Sequence, residues 1–472
     1  MIRHYVLLAT DGYTDLPTGP DLCSTDKKKV YVFGFVGGLY KVSDGKKVKY
    51  KNDKLDWTNP DNFSYLMNLT STATIPSPLI WGEVGDKIYV TLINLGMPIS
   101  DLTDLHTVHF HGGHVPTQLD GFPELSFGVP MWTDMSKEPP VATYYFNPEN
   151  PGTYMYHCHV EASEHVQMGM YGALIIYPSV MSLRKNGIYQ DCNGCWKANG
   201  IYYRNIPTTA TNRNFAYNNI YSYFDEEYVM LLSDIDTRWH EAVENRTTFN
   251  GTDFKPNYWL VNGRAFPDTL KTHPLTVTSP NANRELIQLD YESYIHIKSN
   301  DLVLLRTINM GYQVVPWHIH GWHFQVVGKD ASPSPFLAIA QLVDTMHTKM
   351  NGHDMLQMGF TATIGSGETY DLLIRAEDKR ANYINYIKNG QDALPSLCKQ
   401  INDLGNDNVF DIPIDPVNCE NINITNHLEI CNGKRNYYYY PQFYPMHNHD
   451  DYKVTNDGVY PGGQLTYMQI DK

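Results

Sequence analysis

The chain has 472 residues, 36 of them basic and 51 acidic, for a formal charge of −15. That length allows two or three domains, and the acidic surplus argues against nucleic acid or an anionic membrane as partner, because both reward basic patches. No uncharged run reaches the roughly 18 residues of a membrane span, and 35 tyrosines within 13% aromatic residues favour β-structure over helix.

The N-terminal "MIRHYVLLATDGYTDL" has a short apolar core and no small-residue cleavage site, so no signal peptide is expected in this chain. Residues 1–180 read as short strands punctuated by turns, such as "KKVYVFGFVGG", "EVGDKIYVTLINLG", "GTYMYHCHV" and "YGALIIYP". This spacing predicts a sandwich or Greek-key barrel. Residues 181–222 are polar, rich in Asn and without clear period, and read as a linker or long excursion. A second β-series occupies 223–472, with an expected insertion at about 376–440 that has no counterpart in the first half. No long helix is expected. The two halves repeat: "GDKIYVTLINLG" followed by "HTVHFHGGH" matches "NDLVLLRTINMG" followed by "VPWHIHGWH".

Apart from Cys158, six cysteines (Cys23, Cys192, Cys195, Cys398, Cys419 and Cys431) lie in loop-like surroundings, and the sequence does not choose their pairing. "CNGC" at 192–195 has no second CxxC nearby and no βαβ setting, so a structural disulfide is the expectation there. With sequons at Asn62, Asn68, Asn245, Asn250 and Asn423, the cysteines favour an exported, extracytoplasmic and glycosylated protein.

Four histidine clusters carry the chemistry. They supply His106, His109 and His111, then His157 and His159 around Cys158, then His318 and His320, then His447 and His449. Residues i and i+2 of a strand share a face, so each His-x-His presents two imidazoles in one direction. The four pairs offer eight imidazoles, enough for several metal ions. Inside "HCH" the thiolate faces the other way, which makes one strand the bridge between two metal sites. A thiolate, two histidines and a weak axial methionine form an electron-transfer copper site. Cys158 gives the thiolate, His165 and Met170 return from the following loop, and His106 offers the remaining imidazole. Met168 competes as axial ligand, with Met170 preferred on spacing. A lone pair of histidines in a β-protein is commonly incidental, but four pairs at equivalent places in a repeat are not, and Cys with His and Met favours copper over zinc.

On these motifs the chain resembles the multicopper oxidases, specifically their two-domain, laccase-like branch, and "RHYVLLATDGYTD" and "LIWGEVGDKIYVTLIN" look like ferroxidase-type members. The resemblance implies two cupredoxin-type Greek-key β-sandwich domains, all-β. It implies type 1 copper on His106, Cys158, His165 and Met170, type 2 copper on His109 and His318, and a binuclear type 3 pair on His111, His157, His159, His320, His447 and His449. That makes about four coppers per chain. "HNH" in the second half stands where a type 1 domain would have "HCH", so blue copper belongs to the first half alone. In relatives so arranged the trinuclear cluster lies between neighbouring subunits, which implies a homotrimer. The implied reaction is one-electron oxidation of Cu(I), Fe(II) or a phenolic donor coupled to reduction of dioxygen to water.

Glu161 occupies the place after "HCHV" where family members often carry a proton-relay acid; Asp120 and Asp330, each following a His-x-His-Gly, are weaker claimants, and a solvated loop carboxylate is the plain alternative for all three. Copper nitrite reductases are the nearest rival, but His159, His111 and the "HNH" pair are superfluous for them. A non-catalytic copper-binding or electron-carrier protein is the other alternative, against which the complete ligand set stands. Met346, Met350, Met355 and Met358 with His347 and His353 form a Met- and His-rich loop that suits cuprous-ion docking or, equally, adaptable packing.

Overall fold

Long apolar stretches set the first half. The computed structural model describes residues 1–43, 64, 67–271, 291–346, 352–377, 412–413, 421–422 and 442–471. Nearly all of the expected insertion lies outside them, as do Cys398, Cys419, Cys431, Asn62, Asn423, His347 and Met350. The strands are β1 (Ile2–Pro17), β2 (Lys27–Ser43), β3 (Ile80–Glu83), β4 (Lys87–Asn94), β5 (His109–His111), β6 (Val141–Phe146), β7 (Gly152–His157) and β8 (Tyr171–Tyr177), with helix α1 (Ala162–Met168) between the last two. They form two sheets, in the orders β2-β1-β4-β6 and β3-β8-β7-β5. The inner faces meet as Tyr5, Leu7, Ile88, Val90 and Leu92 against Phe110, Tyr156, Leu174 and Ile176, the alternation that a sandwich requires.

The segment 181–222 is built as structure. Helix α2 (Val180–Lys185) starts on a Ser179–Ser182 capping box, and β9 (Ile188–Gln190), β10 (Trp196–Ala198) and β11 (Ile201–Tyr202) make a small antiparallel sheet. Its scattered apolar residues, Leu183, Trp196, Phe215, Tyr217 and Ile220 among them, are buried in one cluster with both halves.

The second half repeats the first. Its elements are β12 (Glu226–Ile235), α3 (Thr237–Glu244), β13 (Tyr258–Val261), β14 (Ile295–Lys298), β15 (Leu302–Asn309), β16 (Val315–Ile319), β17 (Phe324–Lys329), β18 (Ser332–Pro333), α4 (Pro335–Thr345), β19 (Met358–Gly359), β20 (Thr361–Ile364), β21 (Thr369–Arg375), the short β22 (Ile412–Pro413) and β23 (Asn421–Ile422), β24 (Gln442–Asn448) and β25 (Leu465–Asp471). The order β12-β15-β21 matches β1-β4-β6, and β14-β25-β24-β16 matches β3-β8-β7-β5, down to the parallel pairs β1–β4 and β12–β15. Among the described residues the longest helix has 11 residues, and none is long and apolar enough to cross a membrane.

Strands β8, β12 and β15 read as unbroken apolar runs because they are buried on both faces. One face of β12 (Met230, Leu232) enters its own sandwich, and the other (Val229, Leu231) meets Ile175 and Tyr177 of β8 in the core shared by the halves. A charged knot pins that core. Arg306, fully buried, donates from Nε to Glu227 Oε2 at 2.7 Å and from Nη1 to Thr153 Oγ1 at 3.1 Å, with Asp371 Oδ1 at 3.7 Å. Tyr177 donates to Glu227, and Thr153 and Tyr217 donate to Asp371. First half, connecting segment and second half all contribute.

The disulfide expected within "CNGC" is not formed: Cys192 and Cys195 are free thiols. The turn is held by a carboxylate instead. Asp191 Oδ1 accepts from the backbone of Asn193 (2.9 Å) and Cys195 (3.0 Å), leaving Cys192 exposed and Cys195 half-buried.

Candidate metal centres

Among the described residues, three histidine-containing groups bring ligand atoms within 4.8 Å of one another: His106, Cys158 and His165; His109, His111 and His157; and His318, His320 and His447.

The first group is wholly buried. His165 Nδ1 lies 3.4 Å and His106 Nδ1 3.8 Å from Cys158 Sγ. Metal bonds of ~2.0 Å to nitrogen and ~2.3 Å to sulfur put neighbouring ligands at such separations. Both Nδ1 atoms point to the sulfur, while both Nε2 atoms are enclosed without a partner. Helix α1 makes this possible. Glu161 starts it in a left-handed conformation (φ 41°), and Gly169 ends it at φ 118°, where a Cβ would sit 2.6 Å from Ile75 Cγ1. That tight exit returns the chain so that Cys158 N–H donates to Met170 O at 3.0 Å. Met168 and Met170 are both buried in the hydrophobic cluster that contains Cys158. Burial lowers His165 to about 4 and His106 well below the usual imidazole range, so both are neutral ligands. Burial also pushes the Cys158 thiol up to about 11, a cost that a bound cation removes by taking the thiolate. The site fits a soft metal ion.

His157 and His159 flank that cysteine and turn the other way, into a quartet with His109 and His111. Strand register pairs His109 with His157, and ring centroids lie 5.1 Å apart for that pair, 5.2 Å for His109–His159 and 5.6 Å for His111–His157. Register in the second half pairs His318 with His447 in the same way; His318–His449 is 5.0 Å, His320–His447 5.2 Å and His447–His449 5.5 Å. Nδ1 anchoring is shared: His157 and His447 each use Nδ1 on the carbonyl of the next residue at 2.9 Å, His109 on Asp120 O at 2.8 Å, and His318 on Phe360 O at 2.6 Å. Such bonds fix each ring and leave Nε2 for a metal. Burial lowers His157 to about 3 and lowers His109, His111, His320 and His447 as well. Among the described residues no ring contact joins one quartet to the other, and His320 and His449 are exposed.

The acids fall in three different places. Asp120 sits beside His109, with Oδ2 3.7 Å from Nδ1. Asp330, at a left-handed turn of the second half, accepts from Thr369 N at 2.9 Å, and its charge partly offsets the lowering of His111 in the first half. Glu161 is exposed at the start of α1. Sequence reading missed Thr107, whose N–H donates to Cys158 Sγ at 3.4 Å and whose Oγ1 accepts from His159 N at 3.0 Å. It also missed Gly367, whose added Cβ would lie 3.2 Å from His111 Cε1. Thr107 carried a signal, standing between His106 and His109; Gly367 carried none.

A sequence profile described as "Multicopper oxidase" matches residues 43–180 and 260–366, just over half the chain. Copper resistance protein A of Escherichia coli is 34% identical over 108 residues, 23% of this chain and 15% of that protein. L-ascorbate oxidase of Cucurbita maxima is 27% identical over 164 residues, 32% of this chain and 24% of that protein. The matched spans are thus a quarter or less of these relatives' length. The crystal structure of a blue copper oxidase from Nitrosomonas europaea superposes with a TM-score of 0.53 at 19% identity, covering 100% of this chain and 86% of that one, a likeness of fold.

Proposed function

This chain belongs to the multicopper oxidase family, and from that premise we propose that it couples one-electron oxidation of a small reductant to reduction of dioxygen to water. The family implies copper. The observation that carries the reading is Cys158: its sulfur lies in the buried His106–His165 site while its neighbours His157 and His159 lie in a histidine quartet. We assign type 1 copper to His106, Cys158, His165 and Met170, type 2 to His109 and His318, and the type 3 pair to His111, His157, His159, His320, His447 and His449.

Copper in these sites supplies the electron transfer and the dioxygen chemistry. The chain's own part is to hold and connect. The backbone joins Cys158 covalently to the residue that carries each flanking imidazole. Thr107 ties both sides of that junction, donating to the sulfur and accepting from His159 N–H. Dioxygen reduction consumes protons, and Glu161, Asp120 and Asp330 are proposed to deliver them, Asp120 lying 3.7 Å from His109 and Glu161 being exposed.

The separation of the two quartets within one chain supports completion of each trinuclear site between subunits of a homotrimer. Exposed sequons at Asn68, Asn245 and Asn250 support an extracytoplasmic, glycosylated protein. Electron donors are proposed to be Cu(I), Fe(II) or phenols. Met346 and Met358, 60% and 53% exposed, are proposed to meet a cuprous ion; Met355 packs half-buried against the core shared by the halves, His347 and Met350 lie outside the described residues, and the His353 side chain is not described. Oxygen uptake measured with each donor tests the reading: turnover with at least one supports it, and none with any donor overturns it.

A further inference from the structure

The two imidazoles assigned to the blue copper are unreachable from solvent. His106 and His165 are both 0% exposed, and their Nε2 atoms are enclosed. A donor cannot touch either ring edge, so electrons must cross protein to arrive.

One file of aromatic rings runs from His165 to the surface. Phe33 packs edge-on against His165, with centroids 5.6 Å apart, and also touches His106 at 6.4 Å. Tyr31 follows at 5.7 Å from Phe33, and Tyr13 at 5.8 Å from Tyr31. All three side chains come from the long β1–β2 hairpin, where Tyr13 and Tyr31 are cross-strand partners. Tyr13 is half-buried at the outer end, with Lys29 Nζ over one face of its ring at 3.8 Å.

Each tyrosine also has a place for its proton. Tyr31 OH donates to Asp11 Oδ2 at 3.0 Å, and Asp11 is fixed by Ser71 Oγ and by the N–H of Ile99. Tyr13 OH donates to Glu244 Oε1 at 2.5 Å. A phenol that loses an electron becomes a strong acid, so a carboxylate acceptor lets a neutral radical form in place of a buried cation, which burial would penalise.

We propose that Tyr13 and Tyr31 relay electrons from a donor docked at Tyr13 to the site of Cys158, His106 and His165. The proposal rests on the oxidase reading. Tyr31 gives one electron to the cupric ion there while its hydroxyl proton passes to Asp11. The Tyr31 radical then takes an electron from Tyr13, whose proton passes to Glu244, and Asp11 returns its proton. An external one-electron reductant restores Tyr13, and Glu244 returns its proton. One electron moves inward, and the relay gains or loses no proton.

The test uses copper-loaded full-length protein. Reduction of the blue absorption band by a bulky phenol is followed by stopped flow in wild type, Tyr13→Phe, Tyr31→Phe and Glu244→Gln. A nitroso spin trap added during turnover marks radical-bearing residues for mass spectrometry. The expected result is an unchanged blue band and copper content in Tyr13→Phe and Glu244→Gln, and reduction slowed by about tenfold or more in all three variants. A solvent deuterium effect present in wild type and lost in Tyr13→Phe, together with an adduct on Tyr13, completes it. Unchanged reduction rates in Tyr13→Phe and Tyr31→Phe, or an adduct on another residue in place of Tyr13, overturn the relay while leaving the oxidase reading intact. Absence of a blue band and of oxygen uptake in wild type overturns the oxidase reading and the relay with it.

Discussion

If each trinuclear site takes one quartet from one subunit and one from its neighbour, two inactive variants should repair each other. His111→Ala removes an imidazole from the first quartet and His320→Ala one from the second. In each quartet the rings stand close, with His111–His157 at 5.6 Å and His320–His447 at 5.2 Å, so either loss leaves a metal site short of a ligand. Each homotrimer is therefore expected to lose oxygen uptake while keeping its blue band, because His106, Cys158 and His165 form a separate group. In a head-to-tail ring, each interface combines the first half of one subunit with the second half of the next. Random co-assembly at equal amounts pairs an intact first quartet with an intact second at about one interface in four. The assay is oxygen uptake of doubly tagged, co-expressed trimers, normalised to protein. Recovery to about a quarter of wild type is expected. Retention of inactivity in mixed trimers whose tags prove co-assembly would refute the shared-site argument, since quartets joined within one chain cannot complement.

Three further outcomes follow from the same geometry. Arg306→Met leaves Glu227 and Asp371 buried without their cation and should cost about 3–5 kcal/mol in denaturant unfolding; a loss below about 1 kcal/mol would show the knot to be dispensable. Burial holds His240 at about 4, below the ordinary value, so the unfolded chain takes up the proton first. Stability from this group is full above pH ~6.5 and falls as pH drops toward ~4, by up to about 3 kcal/mol. His240→Gln should make that part of the stability–pH curve of the copper-free protein less steep by the share of one group, since His106, His157 and His165 are also lowered by burial. Gly367→Ala forces a Cβ toward His111 at a backbone φ of 76°; oxygen uptake should fall by about tenfold with the blue band intact, and equal loss of both would point to general misfolding.

Much of this was legible in the sequence because two strong periodicities coincide. Strand alternation put His109 and His111, or His318 and His320, on common faces, and the repeat of "TLIN" and "RTIN" predicted the matching sheets that β4 and β15 anchor. The cysteine between His157 and His159 announced two sites back to back, and the buried group of Cys158 with His106 and His165 is where its spacing pointed. Other features left no local trace. Residues 181–222 bury Trp196, Phe215 and Tyr217 singly among polar neighbours, so no period reports the packing. Asp330 and Gly367 reach the first quartet from the second half through tertiary contact. At "CNGC" the expected disulfide is absent, and the turn is held by Asp191, which accepts from the backbone of Asn193 and Cys195. The file from Tyr13 to His165 depends on cross-strand register, which a sequence without its pairing cannot supply.

The central claim is that the two kinds of site work together on dioxygen. It is tested most directly by counting donor electrons against oxygen consumed, with peroxide assayed in the same vessel and with copper per chain known. A ratio of about four electrons per dioxygen, no peroxide, and about four coppers per chain are expected. About two electrons per dioxygen with peroxide accumulating, or a single copper per chain with no oxygen consumed, would contradict it.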